Sequence, residues 1–254
     1  MCAFARFLQI FLQAVFGENV RAQDAIKFAI QGRDVMLQYV RDPMSGLTHF
    51  IGFCLAIAGL VMLLVSSVNP TSVMHVVTFS VFGGGMILLY LASTLYHWLP
   101  LSKQGILWLR KLDHSMIYIY IAATYTPICL VGLKGAWGWS LFVAIWSMAV
   151  AGIITKMVWL NAPRWLSTGF YLAMGWLVIV GAYPLIQALQ TGALLWLLAG
   201  GIMYSVGAVI YALKRPNPWP EFFGFHEIFH VFVMAGSFCH FWVMYKYITA
   251  LGWS

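Results

Sequence analysis

Three short clusters in the chain carry side chains able to do chemistry: Ser93-Thr-Leu-Tyr-His97, Leu112-Asp113-His114-Ser115 and His226-Glu227-Ile-Phe-His230. Ser93 and His97 stand four residues apart, as do His226 and His230, so on a helix each pair shares one face. Two neutral imidazoles one turn apart, joined by a third from a neighbouring helix, make a three-histidine site with one coordination position left for water. That is the form of a catalytic zinc centre, in which the metal brings the pKa of its water to about 7. In such a site Asp113 can take the water's proton or orient a ligand histidine, and Ser93 can donate to a substrate carbonyl. Imidazole also suits copper, nickel and iron, so the residue types specify a histidine-bound divalent ion rather than one element. The competing role for any single histidine is a buried polar contact between helices. Five chemically able residues, Ser93, His97, Asp113, His226 and His230, meeting at one depth favour the metal.

These clusters must be positioned by a membrane bundle. Of the 254 residues, 62% are hydrophobic and only 8% charged, against about 25% charged in soluble domains. So few charges cannot coat a soluble fold of this length, which excludes an ordinary soluble enzyme, a disordered chain and a nucleic-acid-binding domain. Seven apolar runs, at roughly 47–66, 73–98, 114–132, 138–157, 165–189, 192–213 and 226–248, are each near the ~20 residues that cross a bilayer. The predicted fold is therefore all-α: a seven-transmembrane helix bundle over 45–250, preceded by an amphipathic, charged segment over 1–44 that lies on the membrane surface. Asn69-Pro70 makes the first two spans a tight hairpin, and Pro127 and Pro184 predict kinks in spans three and five. No internal repeat stands out, which speaks against an inverted-repeat transporter.

The cationic residues give the orientation. Of the 14 Lys and Arg, all but Lys134 and Lys246 fall in the N-terminal segment or in the loops after spans two, four and six. The positive-inside rule then puts the N-terminus in the cytoplasm and the C-terminus outside, in the plasma (inner) membrane. The net charge of +7 is accounted for by this topology and by attraction to anionic inner-leaflet lipid, with no nucleic-acid partner. Span two ends at the cytoplasm where spans three and seven begin, so all three clusters reach the same depth near the inner leaflet.

Other residues carry weaker signals. His226-Glu227-x-x-His230 also matches the H-E-x-x-H pattern, with Glu227 as the general base of an intramembrane metalloprotease. Such enzymes add an aspartate in a Leu-Asp-Gly setting, whereas this chain reads Leu112-Asp113-His114. His49 opens span one on the cytoplasmic side and either supports the site from behind a ligand or belongs to the core. His114 points about 100° away from Asp113 on a helix, toward an interface or headgroups. His240 lies roughly 15 Å above His230, too far for the same ion, and His75 falls at the outer end of span two. Cys2, Cys54, Cys129 and Cys239 show neither disulfide nor metal-ligand spacing. Span seven has no mid-helix lysine, which excludes a rhodopsin.

The combination Ser93-x-x-x-His97, Asp113 and His226-x-x-x-His230 across seven spans resembles the hemolysin III family, within the superfamily of progestin and adiponectin receptors and alkaline ceramidases. The resemblance covers about residues 43–250, starting at Asp42-Pro-Met-Ser-Gly-Leu-Thr-His49. It implies Zn2+ on His97, His226 and His230, with Asp113 and Ser93 beside the metal-bound water, and a cytoplasmic N-terminus. Ceramidase-type relatives imply hydrolysis of a lipid amide or ester, with membrane lipid as substrate. The family name implies cytolysis instead, and a lipid sensor with structural zinc is a third possibility. A lytic pore needs no metal site, and a structural zinc needs no open position or poised aspartate, so the hydrolase is favoured.

Overall fold

The computed structural model describes residues 40–68 and 72–251. Seven helices long and apolar enough to cross a membrane follow one another: α1 Pro43–Ser67, α2 Val73–Trp98, α3 Lys103–Leu133, α4 Gly135–Val158, α5 Arg164–Ala188, α6 Thr191–Leu213 and α7 Phe225–Ile248. No strand is formed among the described residues. Leu55, Val65, Val143, Ile154 and Leu195 stand exposed on the outside of the bundle, where lipid rather than water must meet them. The chain is an all-α, multi-pass membrane protein. The surface helix expected within 1–44 lies outside the described residues, apart from Val40 to Met44, and α1 already begins at Pro43.

Local chemistry sets the helix starts. Pro43 occupies the first turn of α1, where its missing N–H costs no helical bond. Ser72 and Ser102 cap α2 and α3, their hydroxyls accepting from the backbone N–H groups of His75 and Gly105. The Ser102 cap starts α3 well before the expected residue 114. Lys103, Arg110 and Lys111 interrupt the apolar count without interrupting the helix, because long cationic side chains at a span's end can reach polar partners. Lys111 Nζ donates to the Met157 carbonyl at 2.8 Å and lies over the Trp108 ring. Asp113 and His114 consequently sit inside α3 rather than opening it. This corrects the sequence-based boundary.

The two internal prolines lie next to two different departures from α-helical geometry. After Pro127, the last turns of α3 widen into a π-helix over Ile128–Leu133. Ahead of Pro184, α5 tightens into a 3-10 stretch over Trp176–Gly181 before the short α-helical end Ala182–Ala188. The π-helical end of α3 and the 3-10 stretch both lie away from the histidine clusters.

Packing brings the chemistry-bearing ends together. Gly85 lets α2 approach α3 so closely that a Cβ there would lie 2.7 Å from that of Ala123. The start of α1 is fastened to the end of α2: Asp42 N–H donates to the His97 carbonyl at 2.8 Å, and Trp98 Nε1–H donates to the Pro43 carbonyl at 3.2 Å. Farther along, Tyr90 on α2 donates to Ser237 on α7 at 2.7 Å, and Tyr204 on α6 donates to Tyr120 on α3 at 3.3 Å. These bonds tie four helices together by polar contacts in the apolar interior.

Candidate metal centre

His97 is the last-turn residue of α2, while His226 and His230 lie one turn apart at the start of α7. Each offers a ring nitrogen, and the three nitrogens all lie within 4.8 Å of one another. His97 Nε2 and His226 Nε2 are 3.1 Å apart. Two ligands at 2.0–2.1 Å from one tetrahedral ion are about 3.3 Å apart, so this separation suits a shared metal. His97 and His230 are buried and His226 is half-buried.

The remaining ring nitrogens identify which atoms face the centre. His97 Nδ1 lies 3.0 Å from Asp42 Oδ2, a carboxylate oxygen that accepts, so Nδ1 carries the proton and Nε2 presents its lone pair. His230 Nδ1 lies 3.2 Å from the Ser45 carbonyl and 3.0 Å from Thr48 Oγ1. The carbonyl can only accept, so this ring too keeps its Nε2 lone pair for the centre. Lone pairs converging in a buried space are what a divalent cation requires, and the residues present therefore fit a metal ion. Burial raises the pKa of the Asp42 carboxyl, but hydrogen bonds from His97 and Arg41 outweigh it and hold it below its ordinary value.

Ser93 is buried on α2 one turn before His97. Asp113 on α3 is close enough for Ser93, His97, Arg41 and Arg110 all to act on its carboxyl group. The two residues expected to flank the centre thus lie on the packed pair α2 and α3. A cavity of about 230 Å³ opens the centre at this end of the bundle, lined by Asp42, Ser45, His97, Pro220, His226 and Glu227, among others. Ser93 and Asp113 do not line it.

The other candidates take distinct places. Glu227 Oε2 accepts from Gly224 N–H at 2.8 Å as a helix cap, and its Oε1 accepts from the Ser45 hydroxyl. His49 stacks on His230 with centroids 3.6 Å apart and meets Tyr90 edge-on, while neither of its ring nitrogens has a hydrogen-bond partner. The backbone carbonyl of His114 accepts from Tyr171 on α5 at 3.3 Å, while its ring Nδ1 is buried without a hydrogen-bond partner. His240 Nδ1 donates to the Gly236 carbonyl at 2.8 Å, and His75 pairs with Ser72 and the Ile248 carbonyl. Asp42, Ser45 and Thr48 were not singled out as site residues by sequence reasoning. Their signal was a polar residue every third position, Asp42-x-x-Ser45-x-x-Thr48, at the head of an otherwise apolar helix.

Comparison with known proteins agrees with this architecture. The model of the family described as haemolysin-III related matches residues 37–241. The chain is 40% identical over 203 residues to a hemolysin-3 homolog of Bacillus subtilis (strain 168), covering 80% of this chain and 92% of that protein. It is also 40% identical over 214 residues to hemolysin-3 of Bacillus cereus, covering 84% and 94%. A more distant relative is the human monocyte to macrophage differentiation factor, 27% identical over 179 residues and covering 68% and 71%. The chain belongs to the haemolysin III family of multi-pass membrane proteins. The matched region contains all three histidines, Ser93, Asp113 and the first turns of α1.

Proposed function

We propose that the protein is a zinc-dependent hydrolase of a lipid amide or ester, acting at the inner-leaflet side of the plasma membrane. The observation that carries this reading is the group of three imidazole nitrogens within 4.8 Å of one another, two of them held as lone-pair donors by hydrogen bonds on the opposite ring nitrogen. Three protein ligands leave a tetrahedral ion one position for water or a substrate carbonyl. When bound, zinc supplies a Lewis acid that acidifies water and polarises a carbonyl oxygen. Asp113 accepts the proton of the attacking water at a carboxylate oxygen and returns it to the departing amine nitrogen or alcohol oxygen. Ser93, one turn from His97 on the same helix, donates its one hydroxyl proton to the carbonyl oxygen as negative charge develops there.

The competing readings use these residues less well. A metalloprotease needs Glu227 free beside the reacting water, whereas both its oxygens are engaged in fastening α7 to Gly224 and Ser45. A membrane-perturbing protein, which the relatives' names suggest, has no use for a buried three-histidine group. A lipid sensor with structural zinc would close the centre with a fourth ligand, most readily Glu227 or His49. Purified protein offered a panel of N-acyl and O-acyl lipids should release fatty acid, lose that release on chelation and regain it with Zn2+. Release unaffected by metal removal would reject the zinc hydrolase, and no release from any lipid would favour the sensor.

The orientation has its own test. Lys103, Arg110, Lys111, Lys156, Arg164, Lys214 and Arg215 belong to the site-bearing end, against Lys134 and Lys246 at the opposite end. Reporter fusions at Trp137 and at Ser254 should both read outside, which would put the metal centre on the cytoplasmic side. A cytoplasmic signal from the C-terminal fusion would move the chemistry to the other leaflet.

A further inference from the structure

The head of α1 supplies no metal ligand, yet it touches the non-ligand side of the centre at several points. Asp42 Oδ2 accepts from His97 Nδ1 at 3.0 Å, while Asp42 N–H holds the carbonyl of the same residue at 2.8 Å. One turn on, the Ser45 carbonyl and the Thr48 hydroxyl accept from His230 Nδ1, and the Ser45 hydroxyl donates to Glu227, the neighbour of His226. Close packing fixes this turn in place. A Cβ on Gly46 would fall 2.0 Å from the Trp98 indole, so only glycine lets α1 lie against the residue that follows His97.

We infer that Asp42 is a positioning residue for His97, and that the Asp42–Thr48 turn of α1 sets how tightly the three histidines hold their metal. The inference rests on the metal centre proposed above, but not on its being hydrolytic. The physical basis is the carboxylate–histidine pair. A negative charge on the far nitrogen fixes the tautomer and ring orientation and makes the ligand nitrogen more basic. Arg41 shares the arrangement in an opposing sense: its Nε donates to the same Asp42 Oδ2 at 2.9 Å and its guanidinium lies over Tyr96, drawing carboxylate charge away from His97. Asp42 is therefore divided between a cation that weakens its effect on the metal and the imidazole that transmits it.

The opposing roles of Arg41 and Asp42 make the inference testable with the full-length protein in detergent, using Zn2+ alone as the probe. Zinc affinity is measured by competition with a chelator of known affinity, and the ligand geometry by the visible absorption of the Co2+-substituted protein. Asp42→Asn should weaken zinc about 10–100-fold, the usual effect of removing such a partner, and should shift the Co2+ bands. Arg41→Gln breaks the same Arg41–Asp42 pair but should leave zinc affinity unchanged or tighter. Thr48→Val, which removes only a hydroxyl beside His230, should weaken zinc by a smaller factor and serves if Asp42→Asn does not fold. If the segment were merely a clasp between α1 and α2, Asp42→Asn and Arg41→Gln would lower affinity and melting temperature in parallel. That parallel loss, or unchanged affinity in both Asp42→Asn and Thr48→Val, overturns the inference. A wild-type chain that takes up no zinc would overturn the metal centre itself, a result distinct from tight wild-type binding with no loss in the variants.

Discussion

Replacing His226 with alanine should empty the metal centre while the bundle stays folded. His226 is half-buried, at the first turn of α7, with its Nε2 3.1 Å from that of His97. Without it, two imidazoles from different helices remain, and two ligands rarely hold zinc against competing water. Removing one of three ligands should weaken zinc on the order of 10³-fold, since each contributes several kcal/mol of the ~10–16 kcal/mol typical of well-formed sites. The capping bonds of Glu227 to Gly224 and Ser45 do not involve the His226 ring, so α7 should keep its start. Elemental analysis beside circular dichroism reads both effects. Native zinc content in a folded His226→Ala protein would remove this histidine from the centre.

Asp113→Asn should have the opposite signature, with metal retained and turnover lost. Asp113 is not in the three-histidine group, but its carboxyl group lies within electrostatic reach of His97 and near Ser93, one turn before that ligand. The amide preserves the shape of the carboxyl group, but it cannot take a proton from water. The loss expected for removing a positioned general base is about 10²–10⁴-fold in turnover, with zinc affinity little changed. Ser93→Ala should lose less, because it removes one donor and not the proton acceptor. Equal turnover in the Asp113→Asn protein would leave the metal centre standing but end the assigned mechanism. Comparing His226→Ala and Asp113→Asn side by side thus separates binding from chemistry.

Much of the bundle was legible in the sequence because its signal is long and redundant. Apolar runs near span length, broken by charge or by Gly and Pro, located all seven helices, most to within a few residues. The exception is instructive. α3 begins at Lys103 because Ser102 caps it, while Lys103, Arg110 and Lys111 on its first turns mimic a loop in any hydropathy count. The convergence of His97 with His226 and His230 was also legible, since chain direction alone brings the end of span two level with the start of span seven. What could not be read were the contacts made by α1. Whether Asp42 meets His97, or Glu227 spends its oxygens on Gly224 and Ser45, depends on how helices far apart in sequence pack, and neither periodicity nor spacing records that. For the same reason His49 could be placed near the centre but not stacked flat on His230.

X-ray absorption at the zinc edge on the purified full-length protein tests the metal centre most directly. The arrangement of His97, His226 and His230 predicts one zinc per chain with three imidazole nitrogens and one oxygen, at about 2.0–2.1 Å. Absence of stoichiometric zinc after metal loading, or a shell containing fewer than three imidazoles, would contradict it.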